Sequence, residues 1–243
     1  MSPRTPVVPS LLASLLVPLI LVGFALRVLL TPLFYTIEYN LPYFPQDRYG
    51  FGREDRLRWA PFAVNYLINR ADIDYLRQLR FDDESPLFNE RELVHMQDVK
   101  RLVQASLRIW YGALSIQGFL WLFAWRGKWM RAYLAAWSRG GWWMIGLALI
   151  LILIAAGGIL IDPDIFWDFF ALFHQAFFEG NSWLFLYSDT LIRLFPIRFW
   201  QDAVLAASFI CLGGGFGLAI GLGRFKDAKT SNHFPDQTST SRV

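Results

Sequence analysis

The chain has 243 residues, of which 55% are hydrophobic, 17% aromatic and only 18% charged, with a formal net charge of +3. A soluble domain of this size carries about 25% charged residues, so the deficit points to lipid as part of the solvent, and the small, scattered positive charge excludes a nucleic-acid partner. A single cysteine, Cys211, excludes an internal disulfide and a paired-thiol metal site, and its place in an apolar run argues against a solvated, reactive thiolate.

In chain order, residues 11–33 (LLASLLVPLILVGFALRVLLTPL) are the first of four windows that approach the roughly 20 apolar residues a spanning helix needs. The apolar part is longer than the about 7–15 residues of a signal-peptide core, and no small-x-small cleavage site follows, so it is expected to remain as a helix. The other windows are residues 102–125, 141–161 and 203–223. An even count puts both termini on one side of a membrane. The connector WRGKWMRAYLAAWSRGG holds Arg126, Lys128, Arg131 and Arg139 with no acid, and the tail opens with Arg224, Lys226 and Lys229. Short Lys/Arg-rich loops stay cytoplasmic, so both termini are expected inside and the loops 34–101 and 162–202 outside. The first of these loops has ten Lys or Arg, but also twelve acids, and is long enough to escape the short-loop rule.

The expected fold is therefore all-α: a polytopic membrane domain over residues 1–224 with four transmembrane helices and short interfacial helices in two extracytoplasmic loops. Residues 225–243, rich in Ser, Thr and Asp, are expected to form a disordered cytoplasmic tail holding an inert His233. Gly213, Gly217 and Gly221 recur every four residues, which predicts a smooth stripe on the fourth spanning helix against the AAGG patch at 155–158 of the third.

In the first outer loop, Trp59, Phe62, Val64, Tyr66 and Leu67 have helical spacing between turn signals at LPYFPQD and DDESP, which predicts a small helical cap. A further helix is expected to start near Asn89 and run without a break into the second span, carrying His95 about one and a half turns above the bilayer with Asp98 on its face. In the second outer loop, aromatics at 166, 169, 170, 173 and 177 follow helical spacing, and His174 interrupts that apolar face. A histidine in an aromatic belt ordinarily bonds headgroups or backbone. Here, though, the chain has three histidines, and the two outside the tail fall on the same side of the membrane.

The stretches FNERELVHMQDVK and FWDFFALFHQAFFEGNSWLFLYSDTLIRLFPIRFW resemble the two signature regions of the integral membrane family DUF1461, whose characterised members are lipoprotein intramolecular transacylases. The likeness rests on Glu92, His95, Asp98, Val99 and Lys100 in the first region and on Phe173, His174, Phe178, Trp183, Asp189 and Pro196 in the second, and extends weakly to FYTIEYN after the first span. The resemblance implies an enzyme that moves the sn-2 acyl chain of a diacylglyceryl lipoprotein from its glycerol oxygen to the α-amino group of the N-terminal cysteine. The partners so implied are a diacylated lipoprotein and membrane lipids, and no cofactor or metal is expected.

Such chemistry needs a base for the amine proton, a donor for the leaving glycerol oxygen and stabilisation of the oxyanion. The substrate supplies the nucleophile, which fits a chain without a G-x-S-x-G elbow or an H-E-x-x-H helix. An α-amino group with a pKa of about 8 is a reasonable partner for an imidazole near 6.5. His95 and His174 are the expected proton-handling pair. Asp98, Asp189 and Glu92 are expected to orient or support it, with Asp168 as a further carboxylate in reach. Phe173, Phe177, Phe178 and Trp183 are expected to hold acyl chains and exclude water, and Glu38 to position substrate. Arg27 and Arg108 lie in apolar windows: snorkelling to headgroups explains both, and contact of Arg108 with the ester carbonyl or a lipid phosphate is the sharper alternative. A different class, a non-catalytic lipid or lipoprotein binding factor, is compatible with the same aromatic loops.

Overall fold

The computed structural model describes residues 6–223, so the predicted tail at 225–243 and the basic residues that open it lie outside the described residues. Nine helices account for most of what is described: α1 (Val7–Leu29), α2 (Pro32–Tyr39), α3 (Arg53–Ile68), α4 (Asp74–Arg77), α5 (Glu90–Arg126), α6 (Met130–Leu160), α7 (Pro163–Phe177), α8 (Thr190–Leu194) and α9 (Ile197–Gly221). Helices α1, α6 and α9 are long and apolar enough to cross a membrane. Their outward faces expose large apolar side chains such as Leu15, Leu153 and Ile220, the pattern of helices solvated by lipid.

Cross-helix contacts fix the directions of the four long helices. The Trp110 indole N–H donates to the Ile20 carbonyl at 3.0 Å and Gln117 Nε2 to that of Ala13 at 2.8 Å, so α5 runs antiparallel to α1. Arg139 donates to Ser10 Oγ at 2.8 Å, while Met144 and Ala148 share a core with Ala25, so α6 is parallel to α1. Ser138 Oγ donates to the Ala219 carbonyl at 3.0 Å, and Gly158 lies against Gln201, so α9 is antiparallel to α6. Helices α2, α3, α4, α7 and α8 therefore all attach at one end of the bundle.

The glycine stripe expected on α9 is not the packed face. A Cβ at Gly213, Gly217 or Gly221 would meet nothing within 4 Å, whereas one at Gly141 would lie 2.7 Å from the Gly215 carbonyl oxygen and one at Gly215 3.0 Å from that of Gly141. The close approach of α6 and α9 is at this reciprocal pair. A spacing of four residues shows that glycines share a face, but not whether that face meets a helix or lipid. The AAGG patch is buried as expected, with Gly157 against Ile165 and Gly158 against Phe166 and Gln201, so it seats α7 as well as α9.

The attached head has its own core, built by Tyr35, Tyr39, Trp59, Tyr66, Leu76 and Leu93 with side chains from α8 and α9. Helix α3 spans the segment read as a cap. Arg56 is buried there and satisfied by the carbonyls of Arg193 and Pro45, and the Tyr39 hydroxyl donates to the Leu194 carbonyl at 2.9 Å. The bonds to Arg193 and Leu194 tie the segment between α1 and α5 to the one between α6 and α9. Helix α5 starts where the sequence places it: Asn89 and Glu92 form a reciprocal capping box, with Asn89 Oδ1 accepting from Glu92 N at 3.1 Å and Glu92 Oε2 accepting from Asn89 N at 2.8 Å.

Candidate functional site

His95 lies in the second turn of α5 and His174 in the last turn of α7, and the two rings face each other with centroids 6.0 Å apart and planes 21° from parallel. Both are buried, at 6% and 8% exposure, in a wall of aromatic rings. Phe178 touches both imidazoles, at 4.9 Å from His95 and 5.4 Å from His174. Phe185 adds an edge contact to His95 at 5.3 Å, while Phe170 and Trp183 lie 4.0 and 4.9 Å from His174.

The tautomer of His174 follows from one bond. Its Nδ1 lies 2.7 Å from the Phe170 carbonyl oxygen, which can only accept, so Nδ1 carries the hydrogen and Nε2 keeps a lone pair. His95 Nδ1, by contrast, is buried without a hydrogen-bond partner. Burial, and then the proximity of His174, push the His95 imidazole down to about 4, and burial pushes His174 below its ordinary value as well. At neutral pH both rings are neutral and each offers a basic nitrogen.

No carboxylate is hydrogen-bonded to either imidazole among the described residues. Asp98 instead accepts from Arg101 at 2.9 Å, on the surface of α5. Glu92, 1% exposed, spends its second oxygen on the main chain of α8, accepting from Leu191 N at 2.5 Å, so that it fastens the head of α5 to the segment between α6 and α9. Burial raises its carboxyl to about 7 against the opposing pull of the two backbone N–H groups. Asp189 accepts from Leu186 N at 2.8 Å, Asn89 Nδ2 at 3.1 Å and Arg91 at 2.9 Å, a second clasp between the same segments. Asp168 is exposed on α7.

Of the expected lining residues, Phe178 and Trp183 are buried beside the imidazoles, while Phe173 and Phe177 touch each other in a tilted pair, centroids 4.9 Å apart, on an exposed face of α7. Arg108 is exposed on α5, thirteen residues and so about 20 Å along the helix axis from His95. Glu38, 3% exposed, lies apart from the imidazoles in a carboxyl pair with Asp202, which Arg198 holds at 2.7 Å. Burial and then Asp202 raise the Glu38 carboxyl to about 8, so it carries a proton at neutral pH. Phe185 had no signal in the sequence, because it sits in an irregular segment without periodicity. Among the described residues no three His, Cys, Asp or Glu side chains gather as a metal-ligand set.

Two neutral imidazoles face each other in an aromatic pocket on a helical scaffold, an arrangement that can exchange protons with a bound molecule. The profile of the lipoprotein intramolecular transacylase Lit family matches residues 11–200, and the chain belongs to that family of membrane acyltransferases. It is 30% identical over 201 residues, 83% of its length and 87% of the relative's, to an uncharacterized protein of Aquifex aeolicus (strain VF5). Its fold is similar to that of the integral membrane lipoprotein intramolecular transacylase Lit from Bacillus cereus, with a TM-score of 0.65 at 21% identity over 90% of this chain and 94% of the other. A histidine-to-arginine variant of that protein superposes with a TM-score of 0.61 at 16% identity over 90% and 91%.

Proposed function

We propose that this chain converts a diacylglyceryl lipoprotein to its lyso form by moving the sn-2 acyl chain from the glycerol oxygen to the α-amino group of the N-terminal cysteine, with His95 and His174 as the proton-handling pair. The observation that carries this reading is the face-to-face arrangement of the two imidazoles, 6.0 Å apart. A ring nitrogen lies less than a bond length from its centroid, and at this separation both rings can reach one bound ester. The amine nitrogen bonds to the ester carbon as an imidazole accepts its proton, and the glycerol oxygen departs with a proton returned from the pair. His174, with Nε2 free and its tautomer fixed, is suited to accept first. Amine and ester belong to one molecule, so holding them together supplies much of the rate, with effective molarities on the order of 10⁵ M or more for well-oriented groups. Phe178, Phe185 and Trp183 exclude the water that hydrolyses an ester. Glu92 and Asp189 support the pair indirectly, by fastening α8 to the start of α5.

The same reading includes four spanning helices, cytoplasmic termini and an extracytoplasmic site. In its support, α5 lies along α1 from Trp110 to Gln117, whose side chains both bond to carbonyls of α1, while Ile109, Phe119, Trp121 and Phe123 face outward. From Leu102 to Trp125 it is about 36 Å long, enough for a bilayer core. The acid-free 126–139 connector lies at the end opposite the histidines. In a Cys211→Ala background, Asn181→Cys is expected to react with an impermeant thiol reagent in intact cells and Arg131→Cys only after permeabilisation; the reverse pattern refutes this orientation.

The activity itself is tested with a purified diacylated lipopeptide in detergent. Total mass stays constant while fragmentation shows one acyl group moved to the cysteine nitrogen. Release of that group as free fatty acid makes the protein a lipase instead.

A further inference from the structure

The two histidines leave one requirement of acyl transfer unassigned. As the C–N bond forms, the π pair of the ester carbonyl moves onto oxygen, and a group must stabilise that charge until the bond to glycerol breaks and the carbonyl re-forms. The imidazole that takes the amine proton, His174, cannot also do this, because its one N–H is held by the Phe170 carbonyl; a neutral His95 has a single N–H to offer, and an oxyanion is ordinarily held by more than one donor. Arg91, a cation beside the pocket, stands 5.9 Å from the Phe185 ring and is held by Asp189 at 2.9 Å.

Trp183 is 8% exposed, its ring centroid is 4.9 Å from that of His174, and its indole N–H has no hydrogen-bond partner. An indole N–H only donates, and when buried it nearly always finds an acceptor, because an unmade hydrogen bond there costs about 1–3 kcal/mol. Trp129 and Trp137, at the far end of the bundle, also hold unpartnered indole nitrogens, so the orphaned donor is not by itself diagnostic. What distinguishes Trp183 is its neighbourhood: its ring lies against His174, and His95 Nδ1 on the facing ring is buried and unpartnered too.

We propose that the Trp183 indole N–H is the oxyanion donor of this site, bonding to the ester carbonyl oxygen as it becomes charged. The proposal rests on the transacylase reading above. In the balanced step, the amine nitrogen bonds to the carbonyl carbon and loses a proton to an imidazole. The carbonyl oxygen takes the electron pair and accepts a hydrogen bond from Trp183, which keeps its own proton. The pair then returns, the glycerol C–O bond breaks and the imidazolium proton goes to the glycerol oxygen.

The experiment uses the full chain in detergent with the diacylated lipopeptide, comparing the wild type with Trp183→Phe and with a chain in which Trp183 is replaced by 3-benzothienylalanine, whose sulfur substitutes for N–H in the same shape. Loss of one such donor is expected to lower kcat about 10²- to 10³-fold in both, with KM and Tm little changed, because the bond strengthens only in the transition state. A sulfur analogue with kcat within about threefold of the wild type overturns the donor role, and it decides the question if Trp183→Phe fails to fold. A rise in KM with unchanged kcat also overturns it, and leaves Trp183 as a wall for the acyl chain. If the wild type itself moves no acyl chain, the transacylase reading falls and this proposal with it; if the wild type and the sulfur analogue both do, only the donor role falls.

Discussion

His95 stands on a 37-residue helix whose first turn is tied by the Asn89–Glu92 box and, through Glu92, to the main chain of Leu191, whereas His174 stands at the end of a 15-residue helix held chiefly by the rings of Phe170, Phe178 and Trp183. Hydrogen bonds are directional and few, so removing one group loosens the whole tie. Ring contacts are individually shallow and many, so no single one decides the position. The chemical state runs the other way: the loosely specified His174 has its tautomer fixed by Phe170, and the firmly placed His95 has an unpartnered Nδ1. The arm that is rigid in place is open in protonation, and the arm that is fixed in protonation is held by packing.

The largest effect is expected from removing either ring. His95→Ala and His174→Ala should each lower turnover by about 10²- to 10⁴-fold, the usual value of a positioned acid or base, with the protein still folded and inserted. Near-full activity in one of them, by the lipopeptide mass assay, breaks the pairing.

Next comes the tie of the first arm. Glu92→Gln puts an amide donor against a backbone N–H and should cost about 1–3 kcal/mol in thermal unfolding, with a smaller loss of turnover than either histidine variant. A pH series sharpens this. The folded Glu92 carboxyl lies at about 7 against an ordinary 4.5, so between these values the native state binds more protons than the unfolded one. Its contribution to stability therefore declines as pH rises from about 4.5 to about 7. The gap in Tm between wild type and Glu92→Gln should narrow over that window; a constant gap means that folding does not raise this carboxyl's pKa.

Below the second arm, α6 and α9 approach through Gly141 and Gly215. Gly215→Leu should lower stability by about 1–3 kcal/mol through overpacking, while Gly217→Leu, open to lipid, leaves the melting profile unchanged. Equal effects remove the distinction between the two faces. The smallest effect is expected at Asp98, which pairs with Arg101 on the surface of α5: Asp98→Asn should change stability by less than about 1 kcal/mol and turnover by about twofold or less. A larger drop in turnover at constant Tm would show that its carboxylate reaches His95 when substrate is bound.

Much of this arrangement was legible because it depends on local signals. The start of α5 near Asn89 follows from the turn signal before it, the face of α7 from aromatics at helical spacing, and the meeting of the two histidines from the loops that carry them. What was not legible depends on which surface meets which. Asp98 shares a helix with His95, yet a carboxylate three residues away finds Arg101 as readily as an imidazole. Glu92 reads as a carboxylate that orients or supports the histidines until Leu191, ninety-nine residues on, is seen to claim its second oxygen. The pairing of Glu38 with Asp202 joins carboxyls from distant segments, and nothing periodic announces Phe185.

Helix α5 continues unbroken from Glu90 to Arg126. The seven residues from His95 to Leu102 therefore act as a stiff spacer of about 10 Å, with no hinge in the helix to let the imidazole ride up or down by itself. With α5 as the proposed fourth span, a bilayer thicker or thinner than its apolar length is accommodated by tilting it as a whole, and the tilt displaces the His95 ring relative to the headgroups. The ester of a lipid-anchored substrate keeps its own depth in the membrane. Alignment of the two is thus a matter of membrane thickness, so lipid composition acts on the encounter of base and ester without touching a single residue of the pocket.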